Sequence, residues 1–439
     1  HWPSRHPTFG GDLLPTRPPL ANVVTGTFLT LAGDRFSLFQ IFTTLASSLA
    51  FLPGWLFARR FSHGSDRAPA LFAVLYMLNP SILENSTFAW TKLPTVFFVL
   101  TSLYFFLPGL AASSIPRLAA AFGLLAAAFL THYSAGPYAV ALVAAYFWWR
   151  RSRWLTGAFW RETAACLLPA MALLATWFAW AMAAFGPRQT FFANTSVTQS
   201  TVRSLGDFVR EKGLNLYHTL VPHPFRGVDY GFIAQASHAG YWRDYFFLLY
   251  QVNLPLIFGS GGAIVLAWIS WQAWRSSAEP AFPAPPRAFW AWFVGSTVVL
   301  GTAASGGVDE WGVAHLCLQS LLGLGLAFIA ARTGGLAAGW CGLLALGGAV
   351  DFVLGVGLQF FLENIPHASA ELLGDGGAGL IGTYGLGTWG NLRAKVLHSL
   401  EFVGDWPVSR PLLVALLACL LGLALSRLRH AKASGLAAS

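Results

Sequence analysis

Lys92-Leu-Pro-Thr-Val-Phe-Phe-Val-Leu-Thr-Ser-Leu-Tyr-Phe-Phe-Leu-Pro-Gly-Leu-Ala-Ala-Ser113 is the stretch on which the fold turns. One charge opens it, and none follows through Ser113. At ~1.5 Å per residue, a helix over 93–113 is about 30 Å long, the thickness of a bilayer's hydrocarbon core. Comparable apolar runs recur at 36–57, 69–83, 118–131, 137–149, 163–185, 247–272, 288–304, 313–331, 335–361 and 411–426. The pattern predicts an all-α polytopic membrane protein of about eleven transmembrane or half-spanning helices. Of the 439 residues, 55% are hydrophobic and only 10% are charged. With a mean hydropathy of +0.56, that composition excludes a soluble globular domain.

The net charge of +9 is distributed as a topology signal, not as a nucleic-acid surface. Arg59 and Arg60, Arg117, Arg150/Arg151/Arg153, Arg161, Arg275 and Arg287, Arg332, and Arg427/Arg429/Lys432 all fall on one side if every run crosses. Lys/Arg bias makes that side the cytoplasm. Residues 1–19 and two long polar loops, 186–246 and 362–410, are then external. The Pro/Ala-rich segment 276–287 reads as a cytoplasmic linker between a front part, 1–275, and a C-terminal transmembrane part, 288–439. Residues 20–33 are too short to span and are expected along the interface. A start at His1, without Met or signal peptide, reads as the loss of an upstream helix. Cys166, Cys317, Cys341 and Cys419 sit in apolar runs and read as small hydrophobes, not as disulfides or metal ligands.

Chemistry-bearing residues gather at the external turns. Arg17-Pro-Pro places a permanent cation where a polar lead-in meets the first apolar stretch, a natural seat for phosphate or a headgroup anchor. Asn79-Pro-Ser-Ile-Leu-Glu-Asn-Ser-Thr-Phe-Ala-Trp-Thr-Lys92 is a second such turn. Lys92 opposes the helix dipole at a helix start, which an anion would relieve; snorkelling to headgroups is the plainer reading. Glu84 is a carboxylate partner for it. His132 tips the short hairpin of 118–131 and 137–149, suited to binding a phosphate or to capping backbone. The loop 186–246 carries His218, His223, Arg226, Asp229, His238 and Arg243, in no compact zinc spacing, so no metal or other cofactor is expected. Arg243-Asp244 reads as a phosphate clamp or an interfacial ion pair. Asp351 lies within an apolar run and must face the bundle interior, a partner or water. Sequons stand at Asn85 and Asn194. Walker, dinucleotide, Ser/His/Asp and CxxC patterns are missing from the sequence.

Three pieces carry a family resemblance: Asp12…Arg17-Pro-Pro-Leu followed by Gly33-Asp-Arg-Phe; Leu78-Asn-Pro80 with its external turn; and Lys92-Leu-Pro-Thr-Val-Phe-Phe-Val-Leu. Over residues 10–185 the chain resembles the polytopic GT-C glycosyltransferases of the protein-mannosyltransferase and aminoarabinose-transferase kind. Many members carry Asp where this chain has Lys92. The resemblance implies transfer of a hexosyl or pentosyl group from a polyprenyl-phosphate donor to a lipid, polysaccharide or protein acceptor, at the outer face of the cytoplasmic membrane. It implies Asp12 as acceptor base or acceptor-positioning acid, although the family's main acidic motif usually lies nearer the first helix, upstream of His1. Arg17, Lys92 and His132, with Arg243, would hold the donor phosphate, and Glu84, His223 and Asp351 would support them. Two other readings compete. One is a transporter or lipid flippase with Asp351 as coupling group, for which the spans are thinly polar beyond Asn253 and Gln319. The other is an O-antigen-ligase-like enzyme working through loop 186–246.

Overall fold

The computed structural model describes residues 18–62, 66–87, 91–192, 204–226, 248–275, 287–304, 307–308, 317–336, 338–357 and 418. Every regular element among them is helical, as a bilayer demands of a chain that must satisfy its backbone groups internally. Leu38–Phe61, Lys92–Ala111, Gly157–Phe191 and Gly339–Gly357 are long and apolar enough to cross a membrane, and six shorter apolar helices accompany them. The protein is an all-α, multi-pass membrane protein.

Helix α1 (Leu20–Ala32) stops at Gly33, which adopts φ 112°. It lies against α2 (Phe36–Ser48), with Phe28 and Phe42 stacked at 4.5 Å. α3 (Phe51–Phe61) continues α2 after a bend. Pro53 has no N–H to give Leu49, and the tighter bonds Ala50 N→Ser47 O and Leu52 N→Leu49 O fill the gap. The run expected as one span over 69–83 divides into α4 (Arg67–Leu78) and α5 (Pro80–Thr87). The break is Asn79, extended at φ −76°, ψ 121°, because the residue before a proline is steered out of the helical region. Its side chain then caps α5, accepting from Ile82 N at 3.1 Å, while its amide donates to Ile257 O at 2.8 Å.

α6 (Lys92–Ala111) and α7 (Ile115–Thr131) form an antiparallel hairpin. Ser113 makes its turn in the left-handed region at φ 52°. Gly109 lets the two helices close: a Cβ there would stand 3.2 Å from Leu118 Cγ. α8 (Gly136–Trp149) returns beside them. α9 (Gly157–Phe192) is 36 residues long and kinks at Gly186, φ 79°. It leaves Leu168, Met171 and Met182 exposed, which in this setting means exposed to lipid. α10 (Leu205–Leu220), capped by Ser204, lies in the stretch expected as external loop. The span expected over 247–272 begins later. A 3-10 turn at Leu256–Phe258 and Gly259 at φ 79° precede α11 (Ser260–Arg275). α12 (Arg287–Ala303), α13 (Leu318–Gly334) and α14 (Ala338–Phe352) complete the described bundle.

α13 is buried on nearly every face and packs against α3, α4, α6, α11 and α14. Small residues permit this: a Cβ on Gly334 would meet Ala68 N at 3.0 Å, and one on Gly323 would meet Leu100 at 3.0 Å. One apolar core therefore draws on helices from both sides of the Pro/Ala-rich segment. Residues 276–286, the expected external loop 362–410 and all of 411–426 but Ala418 lie outside the described residues.

Candidate functional site

Lys92 is the first residue of α6, and His132 directly follows α7. The antiparallel hairpin thus brings both to one end of the bundle. His132 is extended at φ −159°, ψ 135°, and its Nδ1 accepts from Ser134 N at 3.1 Å, capping the 3-10 turn Tyr133–Ala135. The side chain therefore does bond backbone, but as the acceptor from an N–H and not as the donor to carbonyls expected of a helix-end histidine. An accepting Nδ1 assigns the proton of a neutral imidazole to Nε2, which is then a donor.

Cys317, at the N-cap of α13, ties this end together. Its thiol donates to Lys92 O at 3.6 Å, its N–H to Ser134 O at 3.4 Å, and its carbonyl accepts from Tyr138 Oη at 2.6 Å. Cys166 and Cys317 are both buried and free of any disulfide, but Cys317 stands among polar groups and is more than the small hydrophobe expected.

From α13 the polar groups continue without a gap into α5. Gln319 Nε2 donates to Ser81 Oγ at 3.4 Å, and Ser81 Oγ donates to Gln251 Oε1 at 3.2 Å. Asn85 Nδ2 donates to Gln251 Oε1 at 3.1 Å and to Ser81 O at 2.7 Å. Gln251 Nε2 donates to the Glu84 carboxylate. Glu84 thus has Gln251 as a defined partner. Asn85 is 1% exposed, so this sequon is buried in the network and is not an open glycan acceptor.

The neighbouring Tyr250 reaches Asp351. That carboxylate accepts from Tyr250 Oη at 3.0 Å, Ser260 N at 2.9 Å and Ser260 Oγ at 2.7 Å. Asp351 is therefore a capping group at the start of α11, and Gly259 provides the room, since a Cβ there would collide with the carboxylate. His223 is buried and joined to Asn253 at 3.2 Å, next to the strap where Leu254 N meets Thr219 O at 3.0 Å. His218, also buried, lies on α10, and no group of metal-ligating side chains converges among the described residues.

Beside Lys92 and His132 opens an apolar groove of about 420 Å³ between α1, α2, α6 and α7. Leu20, Phe39, Phe42, Phe97 and Phe98 line it together with Thr91, Pro94 and Thr131. Thr91 and Thr131 are the immediate chain neighbours of Lys92 and His132. The structure thus brings together Lys92, His132 and, through α5 and α13, Glu84. It places Asp351 and His223 in adjoining structural roles. Asp12, Arg17 and Arg243 lie outside the described residues. Neither Ser81 nor Gln251 is marked in the sequence reading, which takes Cys317 only for a small hydrophobe. The available signal was their type, since hydrogen-bonding side chains at the ends of apolar runs need partners.

No family model matches this chain, and no curated protein does. Two solved structures are similar to it. ArnT from Cupriavidus metallidurans bound to undecaprenyl phosphate is 15% identical with a TM-score of 0.48, over 80% of this chain and 61% of that one. The same enzyme in the apo state is 15% identical with a TM-score of 0.35, over 81% and 70%. The chain thus spans about three-fifths of the length of the first of these structures.

Proposed function

We propose that this protein is a GT-C-like glycosyltransferase that takes its sugar from a polyprenyl-phosphate-linked donor at the outer face of the cytoplasmic membrane. The observation that carries the reading is the apolar groove lined by Thr91 and Thr131, the chain neighbours of Lys92 and His132. A long isoprenoid needs an apolar channel open to lipid, and its phosphate needs donors at the channel's mouth. Lys92 would supply a cation and His132 Nε2–H a hydrogen-bond donor. When the sugar–phosphate bond breaks, charge develops on the departing phosphate, and donors already in position stabilise it. Arg17, three residues before the groove residue Leu20, and Arg243 are proposed as further cations. Asp12 is proposed as the base that takes the acceptor hydroxyl proton. Glu84, oriented by Gln251, supports the same end.

The transporter reading asks Asp351 to change partners during a cycle. Its carboxylate instead has three donors that fix the start of α11, which suits a static group. The test is a reconstituted assay with radiolabelled polyprenyl-phosphate sugars, alongside binding of the polyprenyl phosphate. Lys92→Ala and His132→Ala should both weaken binding; the melting temperature should hold in the first and fall slightly in the second, which also loses the cap on Ser134 N. Filling the groove with Ala46→Trp should abolish it. Binding unchanged in all three variants would remove the donor site from this groove.

A further inference from the structure

Toward the other end of the α6–α7 hairpin, lined by α6 from Tyr104 to Pro108 and so roughly 20 Å along that helix from Lys92, lies a cavity of about 620 Å³. Arg59, Arg60 and Arg117 converge on it, with Leu56, Tyr104 and Phe105 as walls. We propose that this cavity binds the phosphate of an anionic lipid headgroup, a site separate from the one at Lys92 and independent of the proposed reaction.

Its three guanidiniums are placed by separate pieces of structure. Arg59 and Arg60 belong to the last turn of α3, where Arg59 lies over Trp55 at 5.6 Å and Arg60 over Tyr104 at 5.8 Å. Arg117 is in the first turn of α7. The left-handed turn at Ser113 fixes it there, as does Gly109, whose absent side chain leaves Arg117 Cβ 3.1 Å from where a Cβ would be.

The charge balance is one-sided. Among the described residues no carboxylate pairs with any of the three, whereas Arg150 and Arg153 share Glu162. Arg117 also sits at a helix N-terminus, where the free N–H groups already create positive potential, so a further cation is unfavourable until an anion arrives. Arginine forks match phosphate oxygens two at a time. A topology signal requires only that arginines lie at this end of the bundle. It does not require that they meet around one cavity, two of them propped on aromatic rings. The walls of Leu56 and Phe105 suit the glycerol and first methylenes of a lipid. Free phosphate offers the same headgroup chemistry without them.

The experiment uses the full chain in phosphatidylcholine nanodiscs, with or without phosphatidylglycerol, and separately with inorganic pyrophosphate. Native mass spectrometry reads retained lipid, and thermal melting reads stabilisation. Wild type should retain phosphatidylglycerol over phosphatidylcholine. Arg117→Gln should weaken retention about fivefold, and the triple change Arg59→Gln/Arg60→Gln/Arg117→Gln roughly a hundredfold. Arg151→Gln, an exposed arginine stacked on Trp148 at 4.6 Å, should change nothing. Stabilisation by pyrophosphate equal to that by phosphatidylglycerol would overturn the lipid assignment and leave a phosphate-ion site. Equal retention of the two lipids by wild type, or equal loss in Arg117→Gln and Arg151→Gln, would overturn the site itself. Should the triple variant fail to fold, the wild-type lipid preference and the single Arg117 change decide.

Discussion

At the Lys92 end of the α6–α7 hairpin, the buried polar groups are mostly neutral and bonded to one another: Ser81, Asn85, Gln251 and Gln319 pass hydrogen bonds along a chain that closes on Glu84. At the opposite end the polar groups are arginines, and they divide. Arg150 is buried, pairs with Glu162 at 3.2 Å and donates to Leu110 O at 3.3 Å, while Arg153 holds the same carboxylate at 3.0 Å. Arg59, Arg60 and Arg117 instead surround a cavity. Both ends carry polar side chains between apolar runs, and the sequence does not separate their roles. The lesson is that reach to an acid decides whether an arginine becomes part of the framework or stays available to an anion. A network of neutral groups, in turn, can orient an acid such as Glu84.

The contrast between paired and cavity-lining arginines breaks most sharply at Glu162. Glu162→Leu leaves Arg150 buried without its partner and should cost about 3 kcal/mol of stability, seen as a lower melting temperature in detergent. Arg150→Met added to it should recover much of that loss, since the uncompensated charge is gone. Arg117→Gln should move the melting temperature hardly at all in the absence of anionic lipid, by at most ~0.5 kcal/mol. Equal effects of the Glu162 and Arg117 changes would erase the distinction.

At the Lys92 end the next effect in size is Asp351→Ala. It strands Ser260 N–H and the Tyr250 hydroxyl and should cost about 2 kcal/mol, read by the same melting curve. Asp351→Asn, which keeps an acceptor, should cost less. Lys92→Ala and His132→Ala should each lower polyprenyl-phosphate affinity about tenfold, measured by lipid titration in nanodiscs, with little change in stability for Lys92→Ala and a loss of about 1 kcal/mol for His132→Ala, whose cap on Ser134 N goes. The smallest expected effect is at Asn85. Expressed in an N-glycosylating host, the chain should gain no glycan mass at this residue, because its amide is committed to Ser81 and Gln251. A glycan there would show that α5 opens away from the bundle.

Much of the helical plan was legible in the sequence because length and hydropathy are local properties. The run from Lys92 to Ala111 and the hairpin tip at His132 emerge where the apolar pattern places them. Where the apolar pattern misleads, the cause is backbone chemistry that a hydropathy run conceals. Pro80 forces Asn79 out of the helix and divides one expected span into α4 and α5. Gly259 does the same ahead of α11. Asp351, read as an expensive charge in need of a partner, does have one, but the partners come from residues 250 and 260. Their identity follows from packing across about ninety to a hundred residues of chain and has no local signature.

The sequence by itself determined that the chain lives in a membrane, that it is helical, and which residues can carry charge or donate hydrogen bonds, because those are properties of composition and periodicity. Tertiary structure alone decided which of them meet. It placed α13, from beyond the Pro/Ala-rich segment, at the centre of the helices before it. It set Cys317 between Lys92 and Ser134 and opened a groove beside them. The physical reason is that side chains on different helices meet through packing and helix ends, where small residues, prolines and glycines set distances that no single segment encodes.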